Sequence, residues 1–320
     1  MFKNYLDVAN KLHHGLTRKQ AKELAYEFAV RNSKKIPASW YKHKQGSYDW
    51  LYGFLKRMNT LSLRSPEATS LSRATSFNRN NVSTFFGNLK TVLKNHGIEP
   101  EAIWSVDETG LSTVHKPTKI ITCKGEKHVG KITSGERGAT VTVCCAINAI
   151  GNHIPRFMVF PRKLWQDRMI DNSSPGTTGV VYESGWMTAS NFIKFFEHFQ
   201  KHVKATTDNN FLFIMDNHDS HVILKAITYD KEHGIIIFTI PPHTAHKLQA
   251  LDRSAFGSLK SFYNTACDDW MVTHPESTIT IYEVGGCLAY AFPLAFTPRN
   301  IESGFRVTCI WPFNSNIFTD

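Results

Sequence analysis

The stretch Phe211-Leu212-Phe213-Ile214-Met215-Asp216 decides the fold. Five apolar residues in succession, closed by a carboxylate, describe a strand covered on both faces that delivers an acid to the edge of a sheet. In open α/β sheets, ligand sites lie beyond the carboxyl ends of the strands. Asp216 is therefore either a site residue or the cap of whatever follows the strand.

Working outward, Phe192, Phe195, Phe196 and Phe199 share one face of an amphipathic helix over 189–202, a crossover into 211–215. Further strands are expected at 103–106, 119–123, 140–149, 154–159 and 235–240, with Gly151-Asn152 as a hairpin turn between the third and fourth. A meander followed by alternating helices and strands predicts a mixed α/β sheet with helices on its faces. The strand at 103–106 ends on Asp107, beside Glu108. A third acid, Asp252, follows the loop 241–246 and lies in or at the start of a helix.

The N-terminal third reads as helices. Thr17-x-x-Gln20 is a capping box, after which Ala21, Leu24, Ala25 and Phe28 fall on one face. Asn32-Ser33-Lys34-Lys35 and Pro37 end that helix. Ser47 caps a second, carrying Trp50, Leu51, Phe54, Leu55 and Met58 and closed by Lys56 and Arg57, a placement suited to the helix dipole and to a phosphate backbone. Residues 59–81, rich in Ser, Thr, Arg and Asn, read as a linker. The helix that follows carries Val82, Phe85, Phe86, Leu89, Val92 and Leu93 on one face and stops at Gly97.

The net charge of +10 is unevenly placed: residues 1–100 carry 17 Lys+Arg against 6 Asp+Glu, residues 101–320 carry 20 against 21. A basic arm of that kind favours a polyanion, usually nucleic acid, although a solvated basic surface has the same composition. Arg18, Lys19, Lys34, Lys35, Lys56, Arg57, Arg64 and Arg73 are the candidate phosphate contacts. No apolar stretch reaches membrane-span length and the first residues lack a signal-peptide pattern. The six cysteines show no C-x-x-C pair and suit a reducing compartment as buried small residues. G-x-S-x-G, P-loop and dinucleotide Gly-rich patterns are missing, so a small-molecule substrate of those classes is not expected.

Asp107, Asp216 and Asp252 together are more informative than any one of them. Acids near one edge repel unless cations neutralise them, and hard divalent cations take oxygen ligands, so Mg²⁺ or Mn²⁺ in a two-metal phosphodiester site is the expected chemistry. Glu108, Asn217, His218, His221 and His246 are candidates to orient the carboxylates or contact phosphates. A competing reading uses His218-x-x-His221 and His243-x-x-His246 as four zinc ligands.

At these motifs the chain resembles the pogo/Tigger transposases and the related jerky and centromere protein B-like proteins. The stretches that carry the likeness are Val106-Asp107-Glu108-Thr109-Gly110-Leu111, Met215-Asp216-Asn217-His218-Asp219-Ser220-His221 and Pro241-Pro242-His243-Thr244-Ala245-His246-Lys247-Leu248-Gln249-Ala250-Leu251-Asp252. Val129 to Gly138, Ser184-Gly185-Trp186-Met187-Thr188 and Ala295-Phe296-Thr297-Pro298-Arg299-Asn300-Ile301 add to it. The resemblance implies a ribonuclease H-like endonuclease domain over 101–320 with an Asp-Asp-Asp triad at Asp107, Asp216 and Asp252, the last two separated by residues 217–251. Over 1–70, Leu16-Thr17, Ser39-Trp40, Trp50-Leu51-Tyr52-Gly53-Phe54 and Leu71-Ser72-Arg73-Ala74 are similar to the second helix-turn-helix unit of the centromere protein B-type region, with 71–100 as linker and helix. The family usually has another such unit first, so a truncated chain is expected.

The implied partner is double-stranded DNA, with a second copy of the chain as a further candidate, no membrane, and the nucleus as compartment. Three departures stand out: Ala250 where proline is usual, Arg253 beside Asp252 where its guanidinium could compete with a cation, and Gly285-Gly286-Cys287 in an expected helix, at about 1 kcal/mol per Gly relative to Ala. They read as mild decay. The implied activity is metal-dependent DNA cleavage and strand transfer. The alternative is a domesticated, catalytically inactive DNA-binding or chromatin protein that keeps the fold as a scaffold.

Overall fold

The computed structural model describes residues 2–3, 5–6, 16–58, 60–64, 70–117, 121–124, 135, 138–207, 209–216 and 234–316. The chain divides into two compact units, Met1–Ala74 and Thr75–Asp320.

In the first unit, Thr17 accepts from the Gln20 N–H and the Gln20 side chain takes the Thr17 N–H, completing the expected capping box at the head of α1 (Arg18–Arg31). The buried stripe of α1 is rotated from the expected one: Ala21, Lys22, Ala25 and Ala29 are buried, Leu24 and Phe28 only half-buried. The reason is the Trp40 indole on α2 (Ala38–His43), whose bulk packs on the small Ala25 and Ala29. Ser47 caps α3 (Tyr48–Arg57) through the Trp50 N–H, and the Trp40 and Trp50 rings meet edge to face at 5.3 Å. Gly46 lets the chain pass between them, since a Cβ there would lie 3.1–3.2 Å from both indoles. Lys22 is buried with its Nζ 3.6 Å above the Tyr48 ring. A short helix, α4 (Leu71–Ser76), stands within the stretch expected to be only a linker.

The second unit opens with α5 (Arg79–His96), capped by Asn78 and ended by Gly97 at φ +57°. Val82, Phe85, Phe86 and Leu89 are buried, as the spacing predicts. Six strands follow: β1 (Ile103–Ser112), β2 (Thr140–Asn148), β3 (Phe157–Pro161), β4 (Thr178–Tyr182), β5 (Phe211–Met215) and β6 (Ile235–Thr239). Their order across the sheet is β4-β3-β2-β1-β5-β6. Only β2 runs against the rest, so the other five present their carboxyl ends at one edge. This is a mixed α/β sheet with flanking helices, as the sequence predicts.

Strand β5 has the expected bounds, and β2 and β6 end within a residue of theirs. Three expectations are corrected. β1 runs on past Asp107 to Ser112, because pairing with β2 continues after β5 has ended. β3 starts at Phe157 rather than 154, since Pro155 supplies no ladder donor. The strand expected at 119–123 is not formed over the described residues 121–124. Edge strand β4 has no counterpart in the sequence reading.

One face of the sheet is covered by α6 (Ala189–Val203), whose four phenylalanines meet Trp104, Phe157 and Phe213. Alternation along β1 turns Ser105 and Asp107 to the other face. The chain after β6 runs through α7 (Ala245–Leu248), α8 (Ala250–Ser254), α9 (Phe256–Thr273), α10 (Val284–Ala295) and α11 (Pro298–Val307). Gly304 of α11 lets α8 approach closely: a Cβ there would sit 2.6 Å from the Ala250 carbonyl oxygen. Gly285 likewise faces the Ser173 hydroxyl, which a Cβ would strike. The glycine read as decay therefore serves the packing of α10.

Candidate active site

Register brings the first two acids together. Ser105 pairs with Ile214 across the parallel β1–β5 ladder, so two residues further on Asp107 stands level with Asp216. Neighbouring strands are about 4.8 Å apart, and in-register residues of parallel strands share a face. On its other side Asp107 pairs with Cys145. Both acids are half-buried where the ladder stops and the sheet edge opens.

Asp252 arrives from a different element. The turn Pro241–Thr244 is closed by Thr244, fully buried, whose hydroxyl donates to the Pro241 carbonyl at 2.6 Å. After α7, Gln249 inserts its side chain against β1. Its Nε2 donates to the Val106 carbonyl at 2.9 Å, and its Oε1 accepts from the Ser105 hydroxyl. Helix α8 starts from that anchor and carries Asp252 on its exposed side.

The electrostatics record the convergence. Burial pushes the Asp107 carboxyl well above its usual range, and the charges of Asp252, Glu108 and Asp216 push it further. The Glu108 N–H, donating to Asp107 Oδ1 at 2.8 Å, works against them. Three chain segments thus deliver acids within electrostatic reach of one carboxyl. Cys144 and Cys145, buried behind this row, have their thiols pushed up by burial and stay protonated.

The other candidate positions divide. Glu108, next to Asp107 on β1, and His246, on α7, are half-buried. His246 lies 6.3 Å from the Phe77 ring, and its carbonyl accepts from Arg253 Nη1 at 3.4 Å. His243 is exposed at φ +62°. Asn217, His218 and His221 lie outside the described residues, and the four-histidine zinc reading lies there with them. Arg18, Lys19, Lys34, Lys35, Lys56, Arg57, Arg64 and Arg73 are all exposed on the first unit, Lys19 within 3.8 Å of Glu23. Sequence reasoning missed Ser105 and Gln249. Gln249 stands in a quoted motif, but nothing local shows that its partners lie more than a hundred residues upstream.

Three carboxylates form a hard, oxygen-only donor set of the kind Mg²⁺ and Mn²⁺ take. Among the described residues no group of three or more His, Cys, Asp or Glu side chains is gathered tightly enough to hold an ion. The donors match such an ion in chemistry and charge; joint coordination requires them to close up.

Comparison with known proteins gives three kinds of match. The family model described as DDE superfamily endonuclease matches residues 136–305. A curated relative, "MFS-type transporter clz9" of Cochliobolus lunatus, is 31% identical over 227 residues, 69% of this chain and 24% of that protein. The chain thus spans about a quarter of that relative's length. No helix among the described residues is long and apolar enough to cross a membrane. Among solved structures, the Mos1 mariner paired-end complex with Mn is 13% identical, covering 92% of this chain and 78% of that one at a TM-score of 0.48. The Mos1 catalytic domain with raltegravir and Mg is 12% identical, covering 79% and 100% at 0.42.

Proposed function

The chain belongs to the DDE superfamily endonuclease family, and from that premise we propose that it is a transposase-derived protein that binds double-stranded DNA and cuts or joins its backbone with Mg²⁺ or Mn²⁺. The observation that carries the reading is geometric: the β1–β5 register sets Asp107 level with Asp216, and Gln249 anchors to β1 the helix that carries Asp252. Keeping acids together against their repulsion lowers stability, and a site that takes up cations gives the arrangement a use.

The roles divide among the chain's own residues. Asp107 and Asp216, level on adjacent strands, would share one ion, and Asp252 would complete the second position. Bound there, divalent ions would offset the acids' repulsion and stabilise charge on the attacking and leaving oxygens of a phosphodiester. Glu108 and His246 would orient the carboxylates or contact phosphates. The exposed cations of the first unit grip phosphates, and α3, with Lys56 and Arg57 in its last turn, is our choice for the element that reads bases. On this reading the unit is of the centromere protein B helix-turn-helix type, the family branch is pogo/Tigger, and the working compartment is the nucleus.

The test is Mn²⁺-dependent nicking of supercoiled DNA by the purified chain. Asp216→Ala should lower the rate by more than about 10²-fold, since residues that merely support metal ligands already cost 10–100-fold. Unchanged activity in that variant would refute the mechanism.

One observation favours a second reading. The acids are not gathered at coordinating distance among the described residues, as expected of a domesticated DNA-binding protein that keeps the fold as scaffold. Thermal melting with and without Mn²⁺ separates the two: a site that binds the ion gains stability by mass action, and a scaffold does not.

A further inference from the structure

Gln249 is fully buried, and both ends of its amide are committed to β1. The carbonyl end accepts from Ser105, itself fully buried; the NH₂ end donates to the Val106 carbonyl at 2.9 Å. These are the two residues immediately before Asp107. They also bracket the point where β1 loses β5, the last paired position being Ser105 with Ile214. Beyond it the strand needs another partner, and the Gln249 amide serves as one.

The backbone of the same residue starts the turn that carries Asp252. Its N–H donates to the Ala245 carbonyl at 2.9 Å, and its carbonyl accepts from the Arg253 N–H at 3.1 Å. One side chain therefore ties the level of Asp107 to the origin of α8. A buried glutamine with both ends satisfied could stabilise the fold and do nothing more; its placement between the acids goes beyond that.

Resting on the metal-dependent reading above, we infer that Gln249 is a positioning residue, setting the separation of Asp107 and Asp252 and with it the affinity of the acids for a divalent ion. Displacements of about an ångström in such groups are known to matter for metal and catalytic sites. Gln249 touches neither ion nor substrate, so its effect should appear in ion affinity before it appears in DNA binding.

The experiment titrates Mn²⁺ into the full chain and follows the melting temperature, with nicking as a second readout. Gln249→Met keeps the volume and removes both hydrogen bonds. Ser105→Ala removes one. Phe160→Leu, in the β3 core, lowers stability without touching the acids. Gln249→Met should raise the Mn²⁺ midpoint at least tenfold and Ser105→Ala about threefold, while Phe160→Leu leaves it in place. Excess Mn²⁺ should restore much of the nicking rate in both site variants.

A Gln249→Met midpoint equal to the parent's overturns the inference, as does an equal shift in Phe160→Leu. Should Gln249→Met fail to fold by circular dichroism, Ser105→Ala and Gln249→Glu carry the test; Glu keeps the acceptor for Ser105 and loses the donor to Val106. A parent that never responds to Mn²⁺ sinks the metal reading and this inference with it. A responsive parent beside an unresponsive Gln249 position sinks this inference alone.

Discussion

The two units handle charge in opposite ways. Residues 1–74 hold 14 Lys+Arg against 5 Asp+Glu, and the candidate phosphate contacts among them all stand on the surface. Residues 75–320 are nearly balanced, 23 against 22, yet they set carboxylates where water is partly excluded and where each raises the cost of ionising its neighbour. Exposed cations strengthen contact with a polyanion at little cost to folding. Acids that raise one another's cost of ionising lower stability, and a bound cation would offset that repulsion. On the proposed function, one arrangement would serve affinity and the other chemistry.

Their cores differ as much. The first unit rests on Ala25, Ala29 and Trp40 with a few half-buried rings; the second has one continuous core from α5 to Ile310. The largest expected effect follows. Trp40→Ala removes the indole that organises α1, α2 and α3, at about 3–5 kcal/mol, more than a unit this small can lose. DNA binding should disappear while the sheet unit keeps its own melting transition. If duplex affinity survives Trp40→Ala, the first unit is not what grips DNA and the contrast between the units fails.

How legible all this was depended on how local the cause was. Phe211–Met215 could be read to the residue because an unbroken apolar run needs no partner to be recognised. β1 was cut short at Val106 because Asp107, Glu108 and Gly110 break the apolar pattern; the ladder with β2, not propensity, carries the strand to Ser112. β4 was invisible for a related reason. Gly179 is its second residue, where a Cβ would lie 2.6 Å from the Met158 carbonyl oxygen, so the residue that weakens the strand signal is the one close pairing requires. The three acids stand out in the sequence as candidates, but the level of Asp107 with Asp216 across β1 and β5 does not. Gln249 was out of reach, because its role exists only once residues 105 and 249 are neighbours.

The next effect sharpens the contrast through salt. If the first unit neutralises about four phosphates, duplex affinity should fall on the order of 10²-fold between about 50 and 200 mM salt. Replacing Lys56 and Arg57 by alanine should weaken binding across sequences alike and reduce the salt slope by about 2. Filter binding or fluorescence anisotropy over a salt series measures both. A slope that stays put in the double variant would move the phosphate contacts to the other candidate cations, while a flat parent curve would remove the electrostatic grip altogether.

The smallest effect concerns the sheet edge itself, and its sign is unusual. Burial and the charges of Asp252, Glu108 and Asp216 hold the Asp107 carboxyl well above 3.8, its ordinary value, so the folded chain keeps that proton longer than the unfolded chain does. The stability this contributes is complete below the unfolded value and is lost as pH rises through the folded one. Above the unfolded value Asp107 therefore works against folding, because the folded chain gives up that proton less readily than the unfolded chain. Asp107→Asn, which removes the charge and nearly keeps the shape, should melt higher than the parent at pH 7, by about 2–4 °C for each kcal/mol of repulsion relieved. The gap should close as pH falls toward 4. Saturating Mn²⁺ should close or reverse it from the other side, because only the parent retains the full set of carboxylates to bind the ion. A variant that melts lower than the parent at every pH would mean that Asp107 is held by favourable contacts instead of strained by its neighbours, and the sheet edge would then handle charge no differently from the surface of the helical unit.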